Sequence, residues 1–225
     1  MKKLLFPTDF SETANNAFIY ALNLAKELRA ELYVLHTYVL PVLSATNAGH
    51  PELVSQVYEN YELNSFENYK SNVAKLRVLC EEQQITTVPL VFLFENGTVT
   101  SNVVKITENE GIDLIIMGTN GASGLAKSII GTNTVSVIKS VKIPVLSVPL
   151  HAQYKGIKEI IFTTLFREKD ENPLKEILAI AGLFGAQVKC VHVLKNRNVD
   201  IIMLIEDWEN RFSNTNLEFV ILDFE

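Results

Sequence analysis

The chain has 225 residues, 48% of them hydrophobic and 20% charged, and its 26 acidic against 20 basic side chains leave a formal charge of −6. That balance describes a globular protein long enough for one full domain and part of another, and a net negative field repels polyanions, which argues against nucleic acid as a partner. No apolar run approaches the roughly 20 residues of a membrane-spanning helix, and MKKLLFPTDF has too short an apolar core for a secretory signal.

Short β-rich runs alternate with longer helical ones. KKLLF is followed by a helix over about 11–28, in which Ser11 is a plausible N-cap and Ala14, Ala17, Phe18, Ala21, Leu22 and Ala25 form one apolar stripe. ELYVLH and a long helix over about 51–84 come next, then TTVPLVFLF, with Asn96-Gly97-Thr98 read as a turn rather than a glycosylation acceptor. A helix over about 99–110, the strand DLIIMG, a helix over about 132–140 and IPVLSV complete the set. Strand and helix repeated in this way predict an α/β fold: an open parallel sheet with helices on both faces.

Displacing the sequence by 156 places Leu4-Leu5-Phe6 on Ile160-Ile161-Phe162, Thr8 on Thr164, Ala30 on Ala186 and His36 on His192. Apolar matches between two βαβ units arise easily, but Thr, Ala and His at one offset do not. The expected domains are therefore 1–150 and 151–225, with HAQYKG as the junction and a second, partial copy from about Lys155. That copy contains IKEIIFTT, a helix over about 173–183, QVKCVHV, a helix over about 199–212 and LEFVILDF. Counterparts of the fourth strand, the glycine loop and the fifth strand do not follow within the sequence. Either a half-domain or a truncated chain accounts for this.

Gly118, Gly121, Gly131 and Thr132 make the pattern G-x2-G-x9-G-[ST] between DLIIMG and the helical run TVSVIKS. Glycines at a strand end admit a ligand close to the backbone, and the next helix start offers N–H groups to an anion. The plainer reading is a βα loop whose glycines serve its turns and whose Thr132 caps a helix. In an open α/β sheet ligands sit beyond the carboxyl ends of the strands, so PTDFS after strand 1 and GTNG after strand 4 share a crevice for the order 3-2-1-4-5. Asp9 would there accept from ribose hydroxyls or an adenine amine, or hold a metal indirectly.

PTDFSETA at Pro7–Ala14, LHTY at Leu35–Tyr38 and MGTNGASGLAKSIIGTNTVSVIKSVKIPVLSVP at Met117–Pro149 together resemble the universal stress protein family, specifically its ATP-binding branch. The resemblance spans the first domain. It implies a five-stranded parallel sheet of order 3-2-1-4-5 that binds ATP or a related adenine nucleotide, usually with Mg²⁺ or another divalent ion, and pairs through its fifth strand. By motif position, Pro7, Thr8 and Asp9 would hold adenine and ribose, and the Thr37 backbone would border the adenine. Met117, Gly118 and Gly121 would line ribose and phosphates, while Gly131, Thr132, Asn133 and Thr134 would bind phosphate oxygens. Asn120 stands where the family often has histidine, and Asn133 where well-defined ATP binders often have valine. In the second copy Leu165 stands in the place of Asp9, so that copy is expected to bind no nucleotide.

Rival sites are weaker. GASGLAKS at 121–128 misses a Walker A loop because Ala126 replaces its last glycine, and no G-x-G-x-x-G or G-x-S-x-G is present. His36 and His192 read as structural histidines at equivalent strand ends. His50 and His151 lie in loops, and no ligand spacing marks a structural metal. Cys80 and Cys190 read as reduced, buried thiols, with the cytoplasm as the expected compartment. Glu81–Glu82 and Glu206–Asp207 are adjacent on helices and read as solvated surface.

The resulting expectation is a stress-response or signalling protein that binds adenine nucleotide and at most hydrolyses it slowly, since no general base or arginine finger is evident. Alternatives are a family scaffold without nucleotide, acting through protein contacts, and a nucleotidyl-transferring enzyme, for which Lys127 is the one basic candidate in the glycine loop. The apolar run Ile143–Val148 should form a sheet edge and pair two copies as a homodimer.

Overall fold

The apolar run after Lys2 forms β1 (Lys3–Pro7), whose Leu4, Leu5 and Phe6 are fully buried at the middle of a sheet. The structure is a computed structural model describing residues 1–42, 51–119, 131–194 and 199–223. Beyond β1 run α1 (Glu12–Leu28), β2 (Glu31–Tyr38), α2 (Pro51–Glu82), β3 (Leu90–Asn96), α3 (Val99–Glu110), β4 (Leu114–Thr119), α4 (Thr132–Ser140) and β5 (Val145–Pro149). The strands pair in parallel in the order β3-β2-β1-β4-β5, so β1 lies between β2 and β4 and the strand order reverses beside it.

Helix α1 forms where the stripe expected from sequence lies. Ser11 caps it by accepting the Ala14 N–H at 3.2 Å, and Phe18, Ala21, Leu22 and Ala25 are fully buried. Each large side chain so buried contributes roughly 1.5–3 kcal/mol. On the opposite face, Val103 and Ile106 of α3 and Val137 of α4 close over Leu5, Tyr33, Leu35, Ile115 and Met117. Thr98 caps α3 by accepting from Ser101 N–H, and Gly97 before it adopts φ +116°, so Asn96-Gly97-Thr98 is indeed a turn.

Two compact units divide the chain, Met1–Tyr154 (unit 1) and Lys155–Glu225 (unit 2). Unit 1 extends past β5 because Asn16 Nδ2 donates to the Pro149 and Ala152 carbonyls, both at 3.1 Å, and the Tyr154 hydroxyl donates to Glu27. Unit 2 contains β6 (Glu159–Thr163), α5 (Glu168–Phe184), β7 (Gln187–Leu194), α6 (Val199–Arg211) and β8 (Leu217–Asp223), with parallel strands in the order β6-β7-β8. Its core gathers Leu174, Val188, Cys190 and Phe166 around Trp208.

Features of unit 1 recur in unit 2 at the offset of 156. The Thr8 N–H donates to the Leu35 carbonyl and the Thr164 N–H to that of Val191. Ala30 donates back to Ala25, and Ala186 to Ala181. Both α1 and α5 end in a left-handed residue, Arg29 and Gly185.

Three sequence expectations need correction. Helix α5 begins at Glu168 rather than near Pro173, because the Asp170 carboxylate captures the Arg167 N–H and starts the helix earlier. Pro173 is then absorbed within the second turn, where its missing N–H removes a single helical bond. Strand β3 starts at Leu90 after Pro89, so TTV lies outside it. Gly131, not Thr132, is the N-cap of α4, and it supplies no side-chain bond. The thiols follow expectation: both are buried, and desolvation pushes Cys80 above its ordinary range and Cys190 to about 11.

Candidate functional site

The turn leaving β1, the end of β4 and the start of α4 meet where the strand order reverses and open a cavity of about 270 Å³. Ten of the eleven residues singled out from sequence line it: Pro7, Thr8, Asp9, Thr37, Met117, Gly118, Gly131, Thr132, Asn133 and Thr134. Gly121 lies outside the described residues, as do Asn120 and Lys127. Ser11, Thr13, Ala14, His36, Val99 and Thr119 complete the lining among the described residues. The sequence assigns Ser11 and Ala14 to helix capping and core, and no signal in it marks Val99. Only the return of α3 toward the sheet brings that residue to the cavity.

The PTDF turn is built by its own polar groups. Thr8 Oγ1 accepts the Phe10 N–H at 3.0 Å, and Asp9 Oδ1 accepts the Ser11 N–H at 3.0 Å. These bonds hold Phe10 at φ +60°, an unusual conformation for a bulky residue. His36 Nδ1 lies 2.8 Å from the Thr8 carbonyl oxygen; a carbonyl only accepts, so Nδ1 carries the proton. The Phe10 ring lies 4.7 Å from the imidazole, centroid to centroid. Unit 2 repeats the arrangement: His192 Nδ1 to the Thr164 carbonyl at 2.7 Å, Thr164 Oγ1 accepting from Phe166, and Phe166 at φ +56°. Both histidines are therefore structural braces of the turn.

Across the cavity, the N-cap Gly131 gives the first N–H groups of α4 no side-chain bond, and none is supplied among the described residues. The Gly131 φ of −62° is open to any residue, so this glycine is not demanded by its backbone angle. What it leaves is a bare helix start with a partial positive charge. Gly118 is different: a Cβ there would stand 2.9 Å from the Thr13 carbonyl oxygen, so α1 can approach β4 only over glycine.

Pro7, Ala14, Val99 and Met117 supply apolar wall, and Asp9 supplies a carboxylate. No lysine or arginine stands among the described lining residues. Among the described residues no three His, Cys, Asp or Glu side chains cluster as a metal site, and no helix is long and apolar enough to cross a membrane.

The model of the universal stress protein family matches residues 1–149. Universal stress protein MJ0531 of Methanocaldococcus jannaschii is 30% identical over 148 residues, covering 65% of this chain and 81% of its own. Universal stress protein MJ0577 of the same organism is 32% identical over 157 residues, covering 65% of this chain and 94% of its own. A universal stress protein structure from Archaeoglobus fulgidus superposes with a TM-score of 0.66 at 18% identity, covering 99% of this chain and 79% of its own, a likeness of fold. With its 3-2-1-4-5 sheet and the family's model matched across nearly all of unit 1, this chain belongs to the universal stress protein family.

Proposed function

We propose that unit 1 binds an adenine nucleotide, ATP or a close relative, and that occupancy rather than turnover is its output. The observation that carries this reading is one cavity with a carboxylate on one wall and an uncapped helix start on the other. Asp9 suits hydroxyls of a ribose, the apolar wall suits a base, and the N–H groups of Thr132 to Thr134 suit phosphate oxygens. With no basic side chain among the described lining residues, a triphosphate's charge falls to those N–H groups and to Mg²⁺ held by phosphates and water. Fast phosphoryl transfer needs a positioned base and a cationic side chain, and Asp9 is the single carboxylate in the described lining.

Calorimetric titration with ATP and Mg²⁺ should give stoichiometric binding with negligible phosphate release. At 100 times the dissociation constant the ligand should add about 2.7 kcal/mol to stability, visible in a melt. Brisk multiple turnover sinks the sensor reading, and no heat and no melting shift sink nucleotide binding altogether.

A scaffold role is favoured separately by α2, where Leu53, Val57, Tyr61, Leu63 and Phe66 are exposed on one helix. Association through β5 belongs to the same proposal. Among the described residues β5 ends the sheet order with one side unpaired, and Val145 and Leu146 remain half-buried. We expect a homodimer through Ile143–Val148, read by sedimentation equilibrium. A species that stays monomeric at high concentration removes that assignment.

A further inference from the structure

Helix α2 is longer than the sheet it covers. Its 32 residues span about 48 Å, whereas the 7 residues of β3, the strand whose Phe94 it packs against, span about 23 Å. The C-terminal half is anchored: Tyr69, Leu76 and Cys80 are buried, and the Tyr69 ring centroid lies 4.9 Å from that of Phe94. From Glu52 to Asn68 no side chain is buried. The Tyr38 hydroxyl donates to Glu62 Oε1 at 2.6 Å, so the end of β2 holds this half of the helix in place.

Leu53, Val54, Val57, Tyr58 and Tyr61 fall at i, i+1, i+4, i+5 and i+8, which puts all five on one face of the helix as an apolar ridge about two turns long. Leu53 is 56% exposed, Val57 44% and Tyr61 40%. Glu52, Glu59 and Glu62 run along one flank, three or seven positions apart. Between Pro51 and Tyr69 there is no lysine or arginine. Among the described residues neither Glu52 nor Glu59 has an ion-pair partner.

A contiguous apolar surface rimmed by charge marks a protein contact, and here the charge decides with what. A second copy fits poorly. In an antiparallel two-fold pair centred on Val57, Glu52 of each copy opposes Glu62 of the other, and in a parallel pair Glu59 opposes Glu59, so both arrangements set like charges together. A cationic helix has the opposite balance, and the −6 charge of the chain attracts it.

We propose that the ridge of Leu53, Val54, Val57, Tyr58 and Tyr61 docks a basic amphipathic helix of a partner protein, whose apolar stripe covers the ridge and whose lysines or arginines meet Glu52 and Glu59. This rests on the scaffold reading of α2 and gives it a partner of defined chemistry. None of these residues is among the described lining of the cavity, so docking and nucleotide binding are separable.

Three labelled peptides of about 18 residues test it by fluorescence anisotropy against the full chain: one of leucine and lysine with leucine at helical period, its counterpart with glutamate for lysine, and a scramble of the first that destroys the period. The periodic lysine peptide should bind at least about tenfold more tightly than either of the others. Val57→Ser with Tyr61→Ser should remove that advantage, while Leu63→Ser, turned away from the ridge, should leave it within about twofold. Glu52→Lys with Glu59→Lys should reverse the preference toward the glutamate peptide; it alters exposed charges alone, and so reads the docking even if the serine variant misfolds. All three variants should respond to ATP with Mg²⁺ as the wild type does, which tells a failure here from a failure of the nucleotide reading.

Equal affinity for the three peptides overturns the docking, as does a loss in Leu63→Ser that matches the paired serine variant. Should no peptide bind while sedimentation shows self-association that the serine variant abolishes, the occupant is a second copy: this proposal falls and the scaffold reading stands. No peptide binding and no such self-association remove both.

Discussion

Replacing Gly118 with valine will lower the stability of unit 1 by about 2–3 kcal/mol and abolish the proposed nucleotide binding. The side chain would enter the contact between α1 and β4, where the nearest atom to a Cβ is the Thr13 carbonyl oxygen at 2.9 Å and the next is its carbonyl carbon at 3.2 Å. Backbone cannot swing aside as a flexible side chain can, so α1 itself must retreat. The retreat also moves Ser11, Thr13 and Ala14, which line the cavity from the first turn of that helix. In a unit of this size the loss corresponds to a fall in Tm of roughly 8 °C. Circular dichroism melts follow the first effect and titration the second. A variant within about 0.5 kcal/mol of the wild type, or one with intact affinity, would show that the contact is looser than its geometry.

The second large effect belongs to unit 2 alone. Trp208 is the chain's single tryptophan, 1% exposed, edge-on to Phe166 at 5.4 Å and beside Phe212 at 5.6 Å. Trp208→Ala should cost about 3–5 kcal/mol through lost burial and the cavity left behind. A three-stranded unit of about 70 residues buries too little surface to absorb that, so unit 2 should unfold near room temperature. NMR would show the amide signals of β6 to β8 collapsing while those of unit 1 and its proposed response to ATP persist. Loss of unit 1 signals in the same variant would contradict the independence of the two cores.

Most of the fold could be read from the chain because its signals are local. Period-2 and period-3.6 hydrophobicity place β1, α1, β2 and β4 to within a few residues, since burial of one face is what both periods encode. The start of α5 was misread for an equally physical reason. Proline is a good helix-start signal, yet the Asp170 carboxylate, seven residues past the end of β6, captures an N–H upstream and outweighs it. The site was legible in those residues that carry unusual chemistry for a loop, such as Asp9 and Gly131. Ser11, Ala14 and Val99 were not legible as cavity lining, because a capping serine, a core alanine and a helix-start valine look the same whether or not a cavity lies beside them. His36 was legible as structural, and the bond to the Thr8 carbonyl supplies the reason.

By itself the order of residues determined the strand and helix periods, the glycine-hydroxyl pattern after β4 and the offset of 156 that pairs two PTDF-like turns. Those are properties of neighbours along a chain. Tertiary structure alone decided that the turn after β1 and the start of α4, more than a hundred residues apart, share one cavity, that α1 crosses β4 over the bare face of Gly118, and that one carboxylate on α5 gathers donors from the turn after β6. Hydrogen bonds and steric limits act over a few ångströms in space, and only the folded path of the chain brings those atoms within that range.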